Sequence, residues 1–205
     1  MSGQTCMANS RIYVQRAVAE PFLAKFKAAF TSSRLGDPAD PTVNQGPQAD
    51  KIQHATVLRY IEMGKQSGGK LLTEDKQPEM PPGNFFVSPT IFVDVPEDAT
   101  IMKDEIFGPV VIINTFDTEA EAVAKANDTE YGLYAAVYTK DLDRAMRVAS
   151  RLEAGTVGVN CTSPTKGDDM PFGGQKGSGV QRESYIHSME TFMETKSVLI
   201  KVAEL

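Results

Sequence analysis

The sequence predicts an α/β protein: a mostly parallel open sheet with helices on both faces, and a C-terminal arm and strand protruding from it. Three observations predict it. Short β-branched runs alternate with amphipathic helical stretches, the order that builds parallel sheets through helical crossovers. Val110-Val111-Ile112-Ile113 is apolar without alternation, as a strand covered on both faces must be. Hydrophobic residues make up 41% of 205, enough for a real core in one domain with a small appendage.

Taken in order, Ser10-Arg11-Ile12-Tyr13-Val14-Gln15 reads as a short strand. Val18, Phe22, Phe26 and Phe30, with Leu23 alongside, recur at helical spacing and place an apolar stripe on the helix that follows. Pro21 near its start forgoes an N–H that would go unused there. Residues 35–41, with Gly36, Pro38 and Pro41, are loop. A second helix is predicted over 49–63, burying Ile52, Ala55, Leu58 and Ile61 and stopping at Gly64. Gly68-Gly69 leads into a strand over 70–73, and 74–83, with Pro78, Pro81 and Pro82, is surface loop. Residues 84–94 look extended but interrupted at Pro89.

After the 110–113 strand, Thr118 and Glu121 stand in capping-box spacing before Ala122, Val123, Ala124 and Ala126. Residues 133–139 are strand. Asp141 caps a helix whose inward stripe is Leu142, Ala145, Met146, Ala149 and Leu152, ended by Gly155. Residues 156–160 form another strand, followed by a Gly-, Ser-, Pro- and Asp-rich loop to Gly179 and a short helical piece. The terminal 197–202 strand, hydrophobic and at the end of a long arm, suits pairing with another subunit; finishing its own sheet is the alternative.

Charge and composition exclude several classes. Lys plus Arg total 21 against 27 Asp plus Glu, a net charge of −6, which argues against a broad phosphate-binding surface and a nucleic-acid partner. No apolar run is long enough to span a bilayer, and the N-terminus lacks a basic segment followed by an apolar one. A cytoplasmic, membrane-free location is expected. Cys6 and Cys161 are expected to be free thiols. No metal site is expected: His54 and His187 are unpaired, and Asp168-Asp169 reads as a solvated loop.

Cys6 is the residue type best suited to chemistry here, since a thiolate attacks aldehydes, thioesters, epoxides or enones to form a covalent adduct. Its usual helpers do not lie upstream, where only five residues stand. His54 is expected at the surface, and His187 in packing or partner contact. Glu105 is the strongest carboxylate candidate, acting as a base through water or standing as an exposed vestige.

Several segments together resemble the NAD(P)-dependent aldehyde dehydrogenase superfamily. Gly3-Gln4-Thr5-Cys6, with Ser10-Arg11 and Val14, is similar to its catalytic-cysteine segment, and Glu105-Ile106-Phe107-Gly108-Pro109-Val110 to a highly specific later motif. Asn127-Asp128-Thr129-Glu130-Tyr131-Gly132-Leu133, Gly155-Thr156-Val157, Pro171-Phe172-Gly173-Gly174 with Lys176, Arg182-Glu183 and Glu194-Thr195-Lys196 also fit. The resemblance implies the family's catalytic domain over 1–183 and a C-terminal helix and oligomerisation strand over 184–205, with a homo-oligomer formed through 196–203. It implies that Cys6 is the nucleophile, that Glu105 holds a cofactor ribose and that Phe107 packs near the nicotinamide. A helix N-terminus after Cys6 would favour the thiolate. Asn160, Cys161, Thr162 and Phe172 are expected to line the substrate funnel with Phe107.

No glycine-rich dinucleotide fingerprint follows a strand, and the family's preceding NAD-binding domain has no counterpart. The expectation is therefore a truncated protein without a cofactor. Cys6 and Glu105 would carry a non-redox isomerisation, cyclisation or addition on a small carbonyl or enone compound, of the kind used in secondary metabolism. The alternatives are a non-catalytic pseudoenzyme or oligomerisation partner, or a fragment of an NAD(P)-dependent aldehyde dehydrogenase. Within the matched part, Gly158 stands where the family usually has a bulky aromatic, which predicts a widened or reshaped cavity, and Gln181 replaces a common glycine.

Overall fold

The computed structural model describes residues 1–78, 83–162, 167 and 169–202. Its spine is β4 (Val110–Phe116), flanked in parallel by β1 (Arg11–Gln15) and β3 (Thr90–Val93). β2 (Lys70–Leu71) closes one edge antiparallel to β3, giving the order β1-β4-β3-β2. β5 (Tyr134–Val137) and β6 (Thr156–Val159) form a separate parallel pair. The architecture is thus α/β with mixed sheets and flanking helices, not the single mostly parallel sheet expected.

The central strands explain the two-sided burial. Alternate residues Ile91, Val93, Val111 and Ile113, with Val14, face α1 (Ala19–Thr31) and its Phe22, Leu23, Phe26 and Phe30. The intervening Phe92, Val110 and Ile112 face Val57 and Ile61 of α2 (Lys51–Gln66). Burying each such side chain contributes about 1.5–3 kcal/mol. The α1 phenylalanines stack on one another at 5.6 and 5.5 Å between centroids. Val18, expected in that stripe, is exposed because the helix proper starts only at Ala19.

Asp50 caps α2 by accepting from the Gln53 N–H at 2.8 Å. The helix buries Val57, Ile61 and Gly64, with Leu58 packed against the core; of the expected stripe Ile61 and Leu58 hold, while Ala55 is exposed and Ile52 is 78% exposed. Gly64 does not stop the helix. It lies against the Phe92 ring, so close that a Cβ would come within 2.6 Å of it. α3 (Thr100–Lys103), too short to show a period, buries Ile101 and Met102. α4 (Glu119–Asn127) has its Thr118 cap on the Glu121 N–H as expected.

α5 (Leu142–Ala149) is capped by Asp141, yet it buries only Ala145; Leu142 and Met146 are exposed. α6 (Ile186–Thr191) precedes an extended tail. The tail's expected strand has no ladder among the described residues, and Val198, Leu199, Ile200 and Val202 are exposed. Of the 74–83 loop, residues 79–82 lie outside the described residues, as do Asp168 and residue 203 of the expected pairing segment. Asp169 is exposed. Among the described residues no helix is long and apolar enough to cross a membrane.

Candidate active site

Cys6 sits in a tight turn, where the Ala8 N–H donates to the Thr5 carbonyl at 2.8 Å. The expected helix start is absent there: the chain after the turn runs on without helix to β1. The thiol is exposed.

The turn is held by a polar clamp from residues 46–49. Ser2 Oγ donates to the Gly46 carbonyl at 2.6 Å, and Gln48 Nε2 to the Ser2 carbonyl at 3.3 Å. Gln4 works in both directions, donating to the Pro47 carbonyl at 3.2 Å and accepting from the Ala49 N–H at 2.7 Å. Gly3 has φ +73° and lies so close to the Gly108 carbonyl that no Cβ fits between them. That close approach brings the thiol turn against the Glu105–Pro109 segment.

This second segment leaves α3 and is fixed from α2. Gln53 Nε2 donates to the carbonyls of Ile106 and Phe107, each at 3.0 Å. One helical turn on, Val57 fills the space a side chain at Gly108 would need. Ile106 is buried as an anchor, Phe107 is half-buried at φ +57°, and Glu105 is exposed.

The third segment follows β6. Asn160, at φ +55°, donates through its N–H to the Val137 carbonyl, and its side chain accepts from the Thr139 N–H and donates to the Thr139 carbonyl, both at 2.9 Å. Thr162 and Asn9 bond each other's side chains at 2.7 and 3.1 Å, which fastens this turn beside the thiol. Cys161 is exposed. The space a side chain at Gly158 would fill is taken by its neighbours. A Cβ there would collide with the Cys161 carbonyl and lie 2.9 Å from the Tyr134 hydroxyl.

Phe172 is placed by another frame: its backbone pairs both ways with Glu183, at 2.9 and 2.7 Å, in a loop seated on β5 and β6. His54 is half-buried rather than a surface residue, its ring 3.2 Å from the Phe86 carbonyl. His187 lies 3.6 Å from Glu190 within α6. Clefts of about 370 and 380 Å³ open elsewhere, beside Lys103 and Asn127 and beside Met63 and Pro96. The structure thus gathers Cys6 with the 105–109 segment and the 160–162 turn.

Three glutamines passed unnoticed in the sequence. Gln53 stands at capping-box spacing from Asp50, which predicts a side chain turned back on the cap; its amide goes to the 106–107 carbonyls instead. Gln4 and Gln48 reach partners 43 to 46 positions away along the chain, which no local pattern signals.

A family model described as the aldehyde dehydrogenase family matches residues 1–198. The chain belongs to the aldehyde dehydrogenase family. It is 41% identical to the betaine aldehyde dehydrogenase of Sinorhizobium fredii over 205 residues, all of this chain and 42% of that protein. It is 42% identical to the mitochondrial aldehyde dehydrogenase of Homo sapiens, over 98% of this chain and 38% of that one. Among solved structures, it matches the NAD+ complex of an aldehyde dehydrogenase from Bacillus cereus with TM-score 0.93 and 36% identity, covering 98% of this chain and 40% of that one. A P. syringae AldA indole-3-acetaldehyde dehydrogenase mutant in complex with NAD+ and IAA matches with the same TM-score at 40% identity, covering 98% and 40%.

The chain therefore spans about two-fifths of the length of the relatives it matches. The expectation of a truncated protein, lacking a dinucleotide domain and turned to cofactor-independent, non-redox chemistry, does not stand. The chain follows NAD+-complexed aldehyde dehydrogenases over 98% of its own length, and the family model matches all but its last residues. Where it begins says nothing about a dinucleotide site.

Proposed function

We propose that this chain is the thiol-bearing part of an NAD(P)-dependent aldehyde dehydrogenase that oxidises a small aldehyde to its acid, with Cys6 as nucleophile. The observation that carries this reading is the Gly3–Gly108 contact, which sets an exposed thiol turn against the Glu105–Pro109 segment. Names of similar proteins, betaine aldehyde dehydrogenase among them, support the substrate class.

The residues present fit one edge of a dinucleotide. Glu105 offers an exposed carboxylate for the paired hydroxyls of a ribose, and Phe107 a half-buried flat ring, on a segment whose 106 and 107 carbonyls Gln53 holds. When bound, the dinucleotide supplies the hydride acceptor that the oxidation requires. Cys6 Sγ, as thiolate, bonds to the aldehyde carbon while the carbonyl π pair moves onto oxygen, towards which the Cys6 backbone N–H donates. After oxidation the acyl group is a thioester on Cys6, and water releases it as the acid and returns the thiol. Asn160, Cys161, Thr162 and Phe172 border the approach. In this chemistry Glu105 takes the ribose hydroxyls rather than a proton.

The exposed tail supports self-association through 196–203, with 184–205 as the arm that reaches a second copy. For the catalytic reading, the test is Cys6→Ala in the whole protein. NAD-dependent aldehyde oxidation falls about a thousandfold or more while the melting temperature holds. Turnover that survives the substitution overturns the assignment.

A further inference from the structure

We infer that Tyr134 and Gly158 form a coupled pair that sets the position of the 160–162 turn and so decides how bulky a reagent or aldehyde can reach Cys6. Tyr134 is a positioning residue in this scheme, acting through the turn and not on substrate. The inference rests on the reading of Cys6 as the nucleophile.

Four observations build it. In the β5–β6 ladder Tyr134 pairs with Thr156 and Ala136 with Gly158, so Tyr134 and Gly158 share one face of the sheet. Gly158 is buried, and a Cβ on it would lie 2.9 Å from the Tyr134 hydroxyl: the tyrosine occupies the volume a side chain at 158 would take. The same Cβ would collide with the Cys161 carbonyl, so the 160–162 turn folds back onto β6 only because residue 158 has no side chain. The far end of the turn is tied, through Thr162 and Asn9, to the segment three residues past Cys6. Burial raises the Tyr134 phenol above its usual range, with the neighbouring Cys161 adding to it, as expected for a hydroxyl wedged under this turn.

The mechanics follow from close packing. The turn is held at Asn160 by Thr139 and backs onto Gly158 at the Cys161 carbonyl, so a side chain at 158 displaces it away from β6, on the side tied through Asn9 to the Cys6 segment. A methyl at 158 pushes it that way and narrows the approach. Removing the Tyr134 ring gives the displaced turn room to settle back. Residues in such contact respond to substitution together and not independently.

The test measures thiol access in the whole protein without relying on turnover. Cys6 is alkylated with iodoacetamide or with the bulkier N-phenylmaleimide, and the two rates are read by peptide mass. Gly158→Ala raises the ratio of small to bulky reagent rates about threefold or more, and adding Tyr134→Ala returns it to near the unaltered value. An unchanged ratio in Gly158→Ala, or no response to the second substitution, overturns the pairing. Should Gly158→Ala fail to fold, Tyr134→Ala alone lowers the ratio as the turn sinks inward, and an unchanged ratio overturns it equally. Loss of the catalytic reading would show separately, as aldehyde turnover surviving Cys6→Ala.

Discussion

Tyr13 shows how one side chain can serve both strand and crossover. It lies on β1, and its hydroxyl donates to Glu97 at 2.8 Å and reaches the Lys125 carbonyl at 3.4 Å. Glu97 in turn accepts from Asn114 of β4 at 3.0 Å, and Asn114 also donates to the Val95 carbonyl at 2.7 Å. Burial pushes the Tyr13 hydroxyl far above its ordinary pKa of 10.0; Arg11 works against this and Glu97 reinforces it. The sign of the pH effect follows. Below 10.0 the phenol is neutral in both folded and unfolded chains, and its contribution is fully present. Above that, the unfolded chain ionises first, and stability is lost as pH rises towards the folded-state value. Melting temperature is expected to fall as pH rises above about 10, and less steeply in Tyr13→Phe. At neutral pH the same variant is less stable by about 1 kcal/mol, the net worth of a lost hydrogen bond. Parallel slopes in thermal melts would show that another group governs the alkaline limb.

At the scale of elements, the central strand β4 was legible because burial on both faces leaves an unbroken apolar run, and the caps at Thr118 and Asp141 because their chemistry is local. The buried face of α2 was legible only in part, at Leu58 and Ile61. Its key contact is a glycine against the Phe92 ring, and Gly64 reads as a terminator to any rule that knows only the chain around it. The candidate site divides the same way. Cys6, Glu105 and Phe107 were readable from motifs, whereas the glutamines that hold their segments act across long stretches of chain. Two substitutions separate the real from the expected face of α2. Gly64→Ala gains about 1 kcal/mol of helix propensity, but it drives a methyl into Phe92 and costs about 1–3 kcal/mol by overpacking, so the melting temperature falls. Ile52→Lys, on the face expected to be buried, leaves stability within about 0.5 kcal/mol. A large loss from Ile52→Lys would restore the sequence-derived stripe.

For the whole molecule, the decisive feature is the apolar surface the chain does not cover by itself. Ile186, Met189 and Phe192 on and after α6, and Val198, Leu199 and Ile200 beyond it, are all exposed, with Leu199 at 98% and Phe192 at 91%. An apolar surface of this kind marks an interaction site rather than a solvated face, and an extended apolar segment without a ladder is a ready strand for another sheet edge. Under the proposed self-association, the tail of one copy pairs with a second, and closed symmetry makes the exchange reciprocal. Leu199→Asp places an unpaired carboxylate in that contact, and a buried charge without a partner is strongly disfavoured. Light scattering across a concentration series is expected to show a multimer for the unaltered protein and a smaller species for Leu199→Asp. Far-ultraviolet circular dichroism should stay unchanged, since the described residues of the tail form no strand within their own subunit. A mass that is the same in both proteins would place the contact between copies elsewhere, the exposed Leu142 and Met146 of α5 being the next face to alter.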